Sequence, residues 1–265
     1  MFITGGSRGI GLSIAVRAAK AGANVALIAK TDEPHPQLPG TVHTAAADIR
    51  AAGGQALPIV GDIRDQDSVL DAVAKTVDEF GGIDICVNNA SAINLSNVET
   101  MPLKRYDLIQ SINSRGTFIV SQAAIPHLKK AGAGHIITLS PPINLNPRWL
   151  GAHAPYTLSK YGMTLLTLGM AAELDGSGVV ANCLWPETTI ATAAVQNLLG
   201  GDEMIRRSRT PEIVADAAFE ILTKDPAPSG ECFIDSEVLG EAGGYDLESY
   251  AVEAGQELYP DVFLD

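Results

Sequence analysis

Thr4-Gly5-Gly6-Ser7-Arg8-Gly9-Ile10-Gly11 is the stretch that decides the fold of this 265-residue chain. It follows the apolar pair Phe2-Ile3 and leads straight into an apolar-periodic run over residues 12–21. Glycine permits a tight turn and a close approach of backbone to ligand, and a helix N-terminus favours a pyrophosphate. A glycine loop between a first strand and a first helix, at the head of alternating β and α units, is expected to bind a nucleotide. Its rival role is an ordinary strand-to-helix turn. Phe2-Ile3 is short for a first strand, so either the strand is short or residues are missing ahead of it.

Outward from the loop, short continuous apolar runs at 24–29, 56–61, 83–87, 135–139, 179–184 and 231–235 read as strands buried on both faces. Helical patterns occupy 42–52, 65–80, 104–130, 155–174 and 211–222, the last with Thr210 as N-cap and Pro211 at N1. A loop with Pro34, Pro36 and Pro39 precedes the second helix. The alternation predicts an α/β fold: one doubly wound Rossmann domain over 1–236, with a seven-stranded parallel sheet and helices on both faces. Residues 186–210, alanine-rich with Gly200-Gly201, and the extension 237–265 stand outside the alternation.

The net charge of −13 argues against a nucleic-acid partner. Its distribution is uneven. The last basic residue is Lys224, and residues 225–265 carry eleven acidic side chains; without them 20 acidic face 18 basic ones, a net of −2. The tail keeps Tyr245, Tyr250, Tyr259 and Phe263, more aromatics than a disordered segment retains, so it is expected to pack on the body or a neighbouring subunit. Cys86, Cys183 and Cys232 lie in apolar stretches without metal spacing, which predicts buried free thiols, a reducing cytoplasmic setting and no metal site. No apolar run is long enough to span a membrane, and no signal pattern opens the chain.

The cofactor choice is a question of charge. The second strand ends in Ala29-Lys30-Thr31, and Arg8 sits in the glycine loop. A carboxylate at this strand end takes a ribose 2′-hydroxyl, whereas cations bind a 2′-phosphate. NADP(H) is therefore expected over NAD(H), with Asp32 as an opposing charge and solvated surface as the rival role of Arg8 and Lys30. Asp62, followed by Ile63 after the third strand, is either an adenine acceptor or a helix-capping or turn residue. Asn88-Asn89-Ala90-Ser91 follows the fourth strand, where asparagine side chains hold loops by backbone hydrogen bonds.

Tyr156-Thr157-Leu158-Ser159-Lys160 places a tyrosine and a lysine on one face of a helix, and of the six tyrosines only Tyr156 has a lysine at i+4. A cation there is expected to lower the phenol pKa and make it a usable proton donor. Ser140 ends the fifth strand at the carboxyl edge where open α/β sheets bind ligands. Asn113 falls inside the long helix expected over 104–130. Leu145, Trp149, Leu150 and Met163 are candidates for an apolar pocket, against core or subunit packing. Arg206-Arg207-Ser208-Arg209 is either a solvated run or a basic edge for an anionic substrate such as an acyl-CoA.

These motifs, in order and spacing, resemble the short-chain dehydrogenase/reductase family over about residues 1–236. Pro34-His35-Pro36, Ser140-Pro141-Pro142, Asn144-Leu145-Asn146-Pro147 and Leu184-Trp185-Pro186 are similar to its hydroxysteroid-dehydrogenase-like branch. Some members of that branch carry a sterol-carrier domain, for which this chain has no room. The resemblance implies hydride transfer between NADP(H) and the carbonyl or secondary alcohol of a lipophilic small molecule. By the same resemblance Tyr156 is the acid–base group and Ser140 holds the substrate oxygen. Lys160 tunes Tyr156 and binds the nicotinamide ribose, and Asn113 positions a relay water. Thr4, Gly5, Ser7, Arg8, Gly9, Ile10, Gly11, Lys30, Thr31, Asp62, Ile63, Asn89, Ala90, Ser91, Pro186, Thr188 and Thr189 are then expected around the cofactor, with 188–209 a substrate lid. A homotetramer or homodimer is implied, pairing through the helices at 104–130 and 156–174. Ser91 and Glu187 stand where the family usually has glycine. An epimerase or dehydratase on the same fold, or a silent nucleotide sensor, are the alternatives; the intact Ser140, Tyr156 and Lys160 disfavour the sensor.

Overall fold

Successive residues of each central strand bury opposite faces, and this sets the two layers of helices around the sheet. In the computed structural model, which describes residues 1–34, 38–198 and 200–265, Ile3, Leu27, Val87 and Ile137 face one helix layer. Their neighbours Phe2, Ala26, Cys86 and Ile136 face the other. His35 and Pro36 of the proline-rich loop lie outside the described residues, as does Leu199 of the expected lid.

The first half runs β1 (Phe2–Thr4), α1 (Gly9–Lys20), β2 (Val25–Ala29), α2 (Val42–Ala51), β3 (Ala56–Val60), α3 (Gln66–Phe80) and β4 (Ile85–Asn88). The second half runs α4 (Leu103–Ile112), α5 (Ser114–Ala131), β5 (Gly134–Leu139), α6 (Pro147–Ala152), α7 (Ala154–Glu173) and β6 (Val179–Trp185). It closes with α8 (Ala193–Leu198), α9 (Gly201–Arg206), α10 (Glu212–Thr223), β7 (Cys232–Ile234) and α11 (Asp235–Ala242). Among the described residues seven strands form one parallel sheet in the order β3-β2-β1-β4-β5-β6-β7. The order reverses between β1 and β4, so a crevice opens at their carboxyl ends. α1, α2, α10 and α11 cover one face, and α3, α5 and α7 the other.

Three local expectations need correction. The helix expected over 104–130 is interrupted at Asn113, whose ψ of −76° departs from helical geometry. Thr210 does not cap α10: Pro211 occupies the N-cap position without a side-chain bond, and the Thr210 N–H goes to the Tyr250 carbonyl. Cys232 is only half-buried, because β7 is the edge strand.

The acidic tail follows the body closely. Tyr250 donates to Asp216 at 2.7 Å, and Asp216 in turn pairs with Arg17. Tyr245 donates to Glu220. Farther on, Val252 and Tyr259 bond the main chain of Ser208 and Arg207, and residues 260–265 turn into the crevice. No helix among the described residues is long and apolar enough to cross a membrane.

Candidate active site

The glycine loop is shaped by what lies behind it. The Asn89 amide donates to the Thr4 and Gly5 carbonyls at 3.0 and 3.1 Å. A Cβ on Gly11 would sit 2.4 Å from Asn89 Nδ2, and one on Gly5, at φ +66°, 2.9 Å from the Ala90 backbone. Glycine is therefore required for close packing at both positions. Arg8 precedes α1 in an extended conformation with no side-chain cap, and no carboxylate sits in the first turn. The helix thus presents uncapped N–H groups to an anion.

In front of the loop lies a cleft of about 990 Å³. Gly5, Ser7, Arg8, Gly9, Ile10, Gly11, Lys30, Thr31, Asp62, Ile63, Asn89, Ala90 and Ser91 line it. Arg8 donates to the Pro39 and Gly40 carbonyls and to Thr31 Oγ1. Lys30 reaches Asp62 at 3.4 Å. Asp62 is gripped by Arg64, whose hydrogen bonds hold the carboxyl down to about 2, and it also accepts from the Arg64 N–H. Asp62 is therefore a turn residue at the cleft wall, while Asp65 caps α3. Asp32, the opposing charge, is engaged by His43 at 2.7 Å. Ile112, Thr192 and Asn197 complete the cleft and were not foreseen; the alanine-rich stretch before Gly200 was the available signal.

Thr4 does not line this cleft. It is buried, and its hydroxyl accepts from the Asn89 and Ala90 N–H groups while donating to the Val87 carbonyl. Asn113 joins Ala92 in both directions, at 2.8 and 3.0 Å, and donates to Ser159 Oγ at 2.9 Å. Ser159 donates in turn to the Tyr156 carbonyl. These bonds make Asn113 a clamp between the loop after β4 and the turn of α7 that carries Tyr156, and they account for the helix interruption.

Tyr156 and Lys160 lie one turn apart on α7, and Lys160 reaches the carboxyl end of β5, where Ser140 follows Leu139. The exposures of Ser140, Tyr156 and Lys160 are only 0%, 3% and 2%. Ser140 Oγ makes no hydrogen bond of good geometry among the described residues, with the Cys183 thiol beside it. Lys160 Nζ donates to the Leu139 carbonyl at 2.9 Å and lies 5.0 Å from the Trp185 ring. Burial pulls its pKa down to about 7 against the opposing charge of Asp261.

The short chain dehydrogenase family matches residues 1–201. This chain belongs to the short-chain dehydrogenase family. Hydroxysteroid dehydrogenase-like protein 2 of Xenopus tropicalis is 53% identical over the whole chain and 63% of its own length, so the chain spans somewhat under two thirds of this curated relative. A short chain dehydrogenase from Mycobacterium thermoresistibile superposes at TM-score 0.94 with 60% identity, covering 100% of this chain and 94% of that one. A putative dehydrogenase from Xanthomonas campestris gives 0.95 and 55%, with 100% and 97% covered. A metagenomic short-chain oxidoreductase in complex with NADP matches at 0.72 and 26%, over 88% and 94%. An NADH-dependent reductase complexed with NAD shares the fold at 0.70 and 24%, over 88% and 92%.

In this chain the family's binding of a nicotinamide cofactor meets a fitting shell: a glycine cradle that a Cβ would fill and an uncapped helix. Thr188 Oγ1 is buried without a partner among the described residues, outside the cleft lining. Thr189 is spent on Ser208, and Pro186 is buried outside the cleft lining. Glu187 brings no free carboxylate, since Arg209 pairs with it at 2.6 Å. The remaining arginines of the basic run meet the acidic tail, Arg206 at Glu253 and Arg207 at Glu257, so the run is neither merely solvated nor an open anion edge.

The Tyr156 side of the crevice is closed by the tail, whose packing on the body was expected without its place, and by a buried carboxylate, Asp235. Phe263 stacks on Tyr156, with ring centroids 6.1 Å apart and 23° between planes. Asp235, pushed up to about 6 by burial, accepts from the Glu187 N–H and fixes the loop after β6. Burial, then the charge of Asp261, pushes the Tyr156 phenol up; the lowering expected from Lys160 is not met while the site is covered. Of the four pocket candidates only Trp149 faces the site. Leu145, in the stretch before α6, and Leu150, on the outer face of α6, are exposed, and Met163 lies in the core.

Gly11→Ala is expected to weaken dinucleotide binding by at least about tenfold in a fluorescence titration, since the new Cβ must displace Asn89. The half-buried Asp261 supplies a pH test. Desolvation raises its carboxyl to about 7 from 3.8, so the stability it contributes is complete below the lower value and lost as pH rises through the upper one. Lys160, depressed to about 7 from 10.5, has the opposite sign: its contribution is complete above 10.5 and lost as pH falls through about 7. The stability advantage of Asp261→Asn over wild type should grow between about pH 5 and pH 8 in urea unfolding. A constant difference would exclude a buried, titrating Asp261.

Proposed function

We propose that this chain transfers a hydride between NADP(H) and the carbonyl or secondary alcohol of a lipophilic small molecule. The observation that carries this is a dinucleotide-sized cleft at the glycine loop, together with Lys160 held at the end of β5 beside Ser140 and Tyr156 one turn earlier on the same helix. Arg8, Lys30 and Thr31 hold the 2′-phosphate, with Asp32 drawn off by His43. The α1 N–H groups take the pyrophosphate, and Asp62 and Ile63 border the adenine. Asn89, Ala90 and Ser91 flank the nicotinamide side, where the Thr188 hydroxyl would receive the carboxamide. A bound reduced nicotinamide supplies the hydride.

Ser140 holds the substrate oxygen by a hydrogen bond. Tyr156 gives that oxygen a proton, or takes one in the oxidative direction. Lys160, a cation on the same helix face, favours the phenolate once substrate and cofactor replace the tail over the site. Asn113 positions Tyr156 through Ser159. Cys86, Cys183 and Cys232 are free thiols, which supports a reducing cytoplasmic setting.

Titration with NADPH and NADH, followed by a screen of aldehydes, ketones and secondary alcohols, tests this directly. Tyr156→Phe should lower kcat by about 10²–10⁴. Arg8→Ala with Lys30→Ala should cut the preference for NADPH by about tenfold or more. Full turnover in the phenylalanine variant, or an intrinsic preference for NADH, would overturn the respective assignment.

The same reading extends to a homodimer or homotetramer. α5 and α7 carry the exposed apolar side chains Phe118, Leu158 and Leu165, which suit burial against a second copy. Light scattering should show at least a dimer that Leu165→Glu weakens; a monomeric wild type would refute it.

A further inference from the structure

Residues 260–265 lie in the crevice as a bound ligand would. The Phe263 ring is fully buried among side chains of α6, α7 and β6 and the residue between α6 and α7. Its centroid lies 6.2 Å from Trp149, 5.5 Å from His153, 6.1 Å from Tyr156, 5.3 Å from Tyr161 and 6.1 Å from Trp185. The Asp265 side-chain carboxylate accepts from Asn144 Nδ2 at 3.0 Å, Asn146 Nδ2 at 3.2 Å and Trp149 Nε1 at 3.0 Å. Asn144 Nδ2 also donates to the Phe263 carbonyl, and Trp185 Nε1 to that of Val262. Among the described residues Phe263 alone, other than glycine, has a positive φ, at +79°. The ring is thus held by its surroundings and not by a relaxed backbone.

This placement has a chemical consequence. A proton donor must come within hydrogen-bond reach of its substrate, yet Phe263 lies against the face of Tyr156. Neither Phe263 nor any of the five rings around it lines the dinucleotide cleft. The substrate therefore needs the volume that the chain itself now occupies.

We propose that segment 260–265 is a displaceable internal occupant of the substrate subsite, and that the molecule replacing it is an aryl or bulky alkyl carbonyl compound, or its alcohol, that carries a carboxylate. The inference rests on the reading of Tyr156 as proton donor. The five rings receive the apolar group, and Asn144, Asn146 and Trp149 Nε1 receive the acid. Trp149 touches Phe263 with its ring and Asp265 with its nitrogen, so both ligand groups fit within the length of one indole.

Trp149 and Trp185 are the only tryptophans of the chain and both touch Phe263, so tryptophan emission reports on this box alone. The full chain and its Phe263→Ala variant are compared by acrylamide quenching and by titration with 4-phenylbutyrate and its neutral amide, with NADPH affinity followed separately. The variant should quench at least about twofold more steeply and bind 4-phenylbutyrate at least about tenfold more tightly than wild type, with the acid preferred over the amide. Asp265→Ala, a change at an exposed side chain, should also raise quenching, which keeps the test open if the alanine at 263 fails to fold. Equal quenching and equal affinity in all three chains would overturn the displaceable occupant. Equal affinity of the variant for acid and amide would overturn the anionic substrate class. These are binding measurements: a chain that behaves as expected but turns over no carbonyl refutes the oxidoreductase reading alone, and an active enzyme with unchanged quenching refutes the occupant alone.

Discussion

The crevice depends on one asparagine. β1 lies between β2 and β4, and the Asn89 amide ties the end of β4 to the carbonyls of Thr4 and Gly5 at the end of β1. The Thr4 hydroxyl closes the same joint from the other side, collecting two N–H groups. Leaving one of these buried backbone groups unpaired would cost about 1–3 kcal/mol. The joint also explains why residues 5 and 11 carry no side chain: the space a Cβ would need is filled by the pin. The glycines answer to the protein's own packing before they answer to any phosphate.

Closure of the catalytic side is a contest of opposed effects. Burying the Phe263 ring is favourable by about 1.5–3 kcal/mol, and each aromatic neighbour adds on the order of 1 kcal/mol. Against this stand a left-handed backbone for an L-residue, at about 1–2 kcal/mol, and the removal of water from Lys160 and Asp261. A buried charge that finds no tight partner relieves itself by shifting its pKa, and both groups are moved toward neutrality.

Much of the architecture was legible because its signals are local. The apolar runs, their alternation with helices, and the glycine loop each sit within a few residues of what they specify. The end of β5 and the four-residue spacing on α7 are equally local signals, and they give the positions of Ser140, Tyr156 and Lys160 along the chain. What stayed hidden depends on partners far along the chain. Thr4 is listed by its motif with the cofactor, but its hydroxyl is spent on residues 87–90. Asn113 interrupts a helix because Ala92 and Ser159 hold its amide, which no periodicity reveals. Leu145 and Leu150 look like pocket walls by composition yet face outward, while Tyr161 and Trp185 become walls through Phe263, more than seventy positions later in the case of Trp185. The aromatics of the acidic tail hinted that it packs somewhere, without naming the partner.

Residues 188–210 and the tail share main-chain bonds. Thr189 gives its N–H to Tyr259, Arg209 bridges both Ile190 and Ala251, and Thr210 is tied to Tyr250. Neither layer can be lifted alone without breaking these bonds, so the roof that Thr192 and Asn197 lend to the cleft and the cover over Tyr156 form one mechanical body. Reciprocity follows from thermodynamics: whatever loosens the cover eases entry beneath the roof, and whatever draws the roof down tightens the cover by the same free energy.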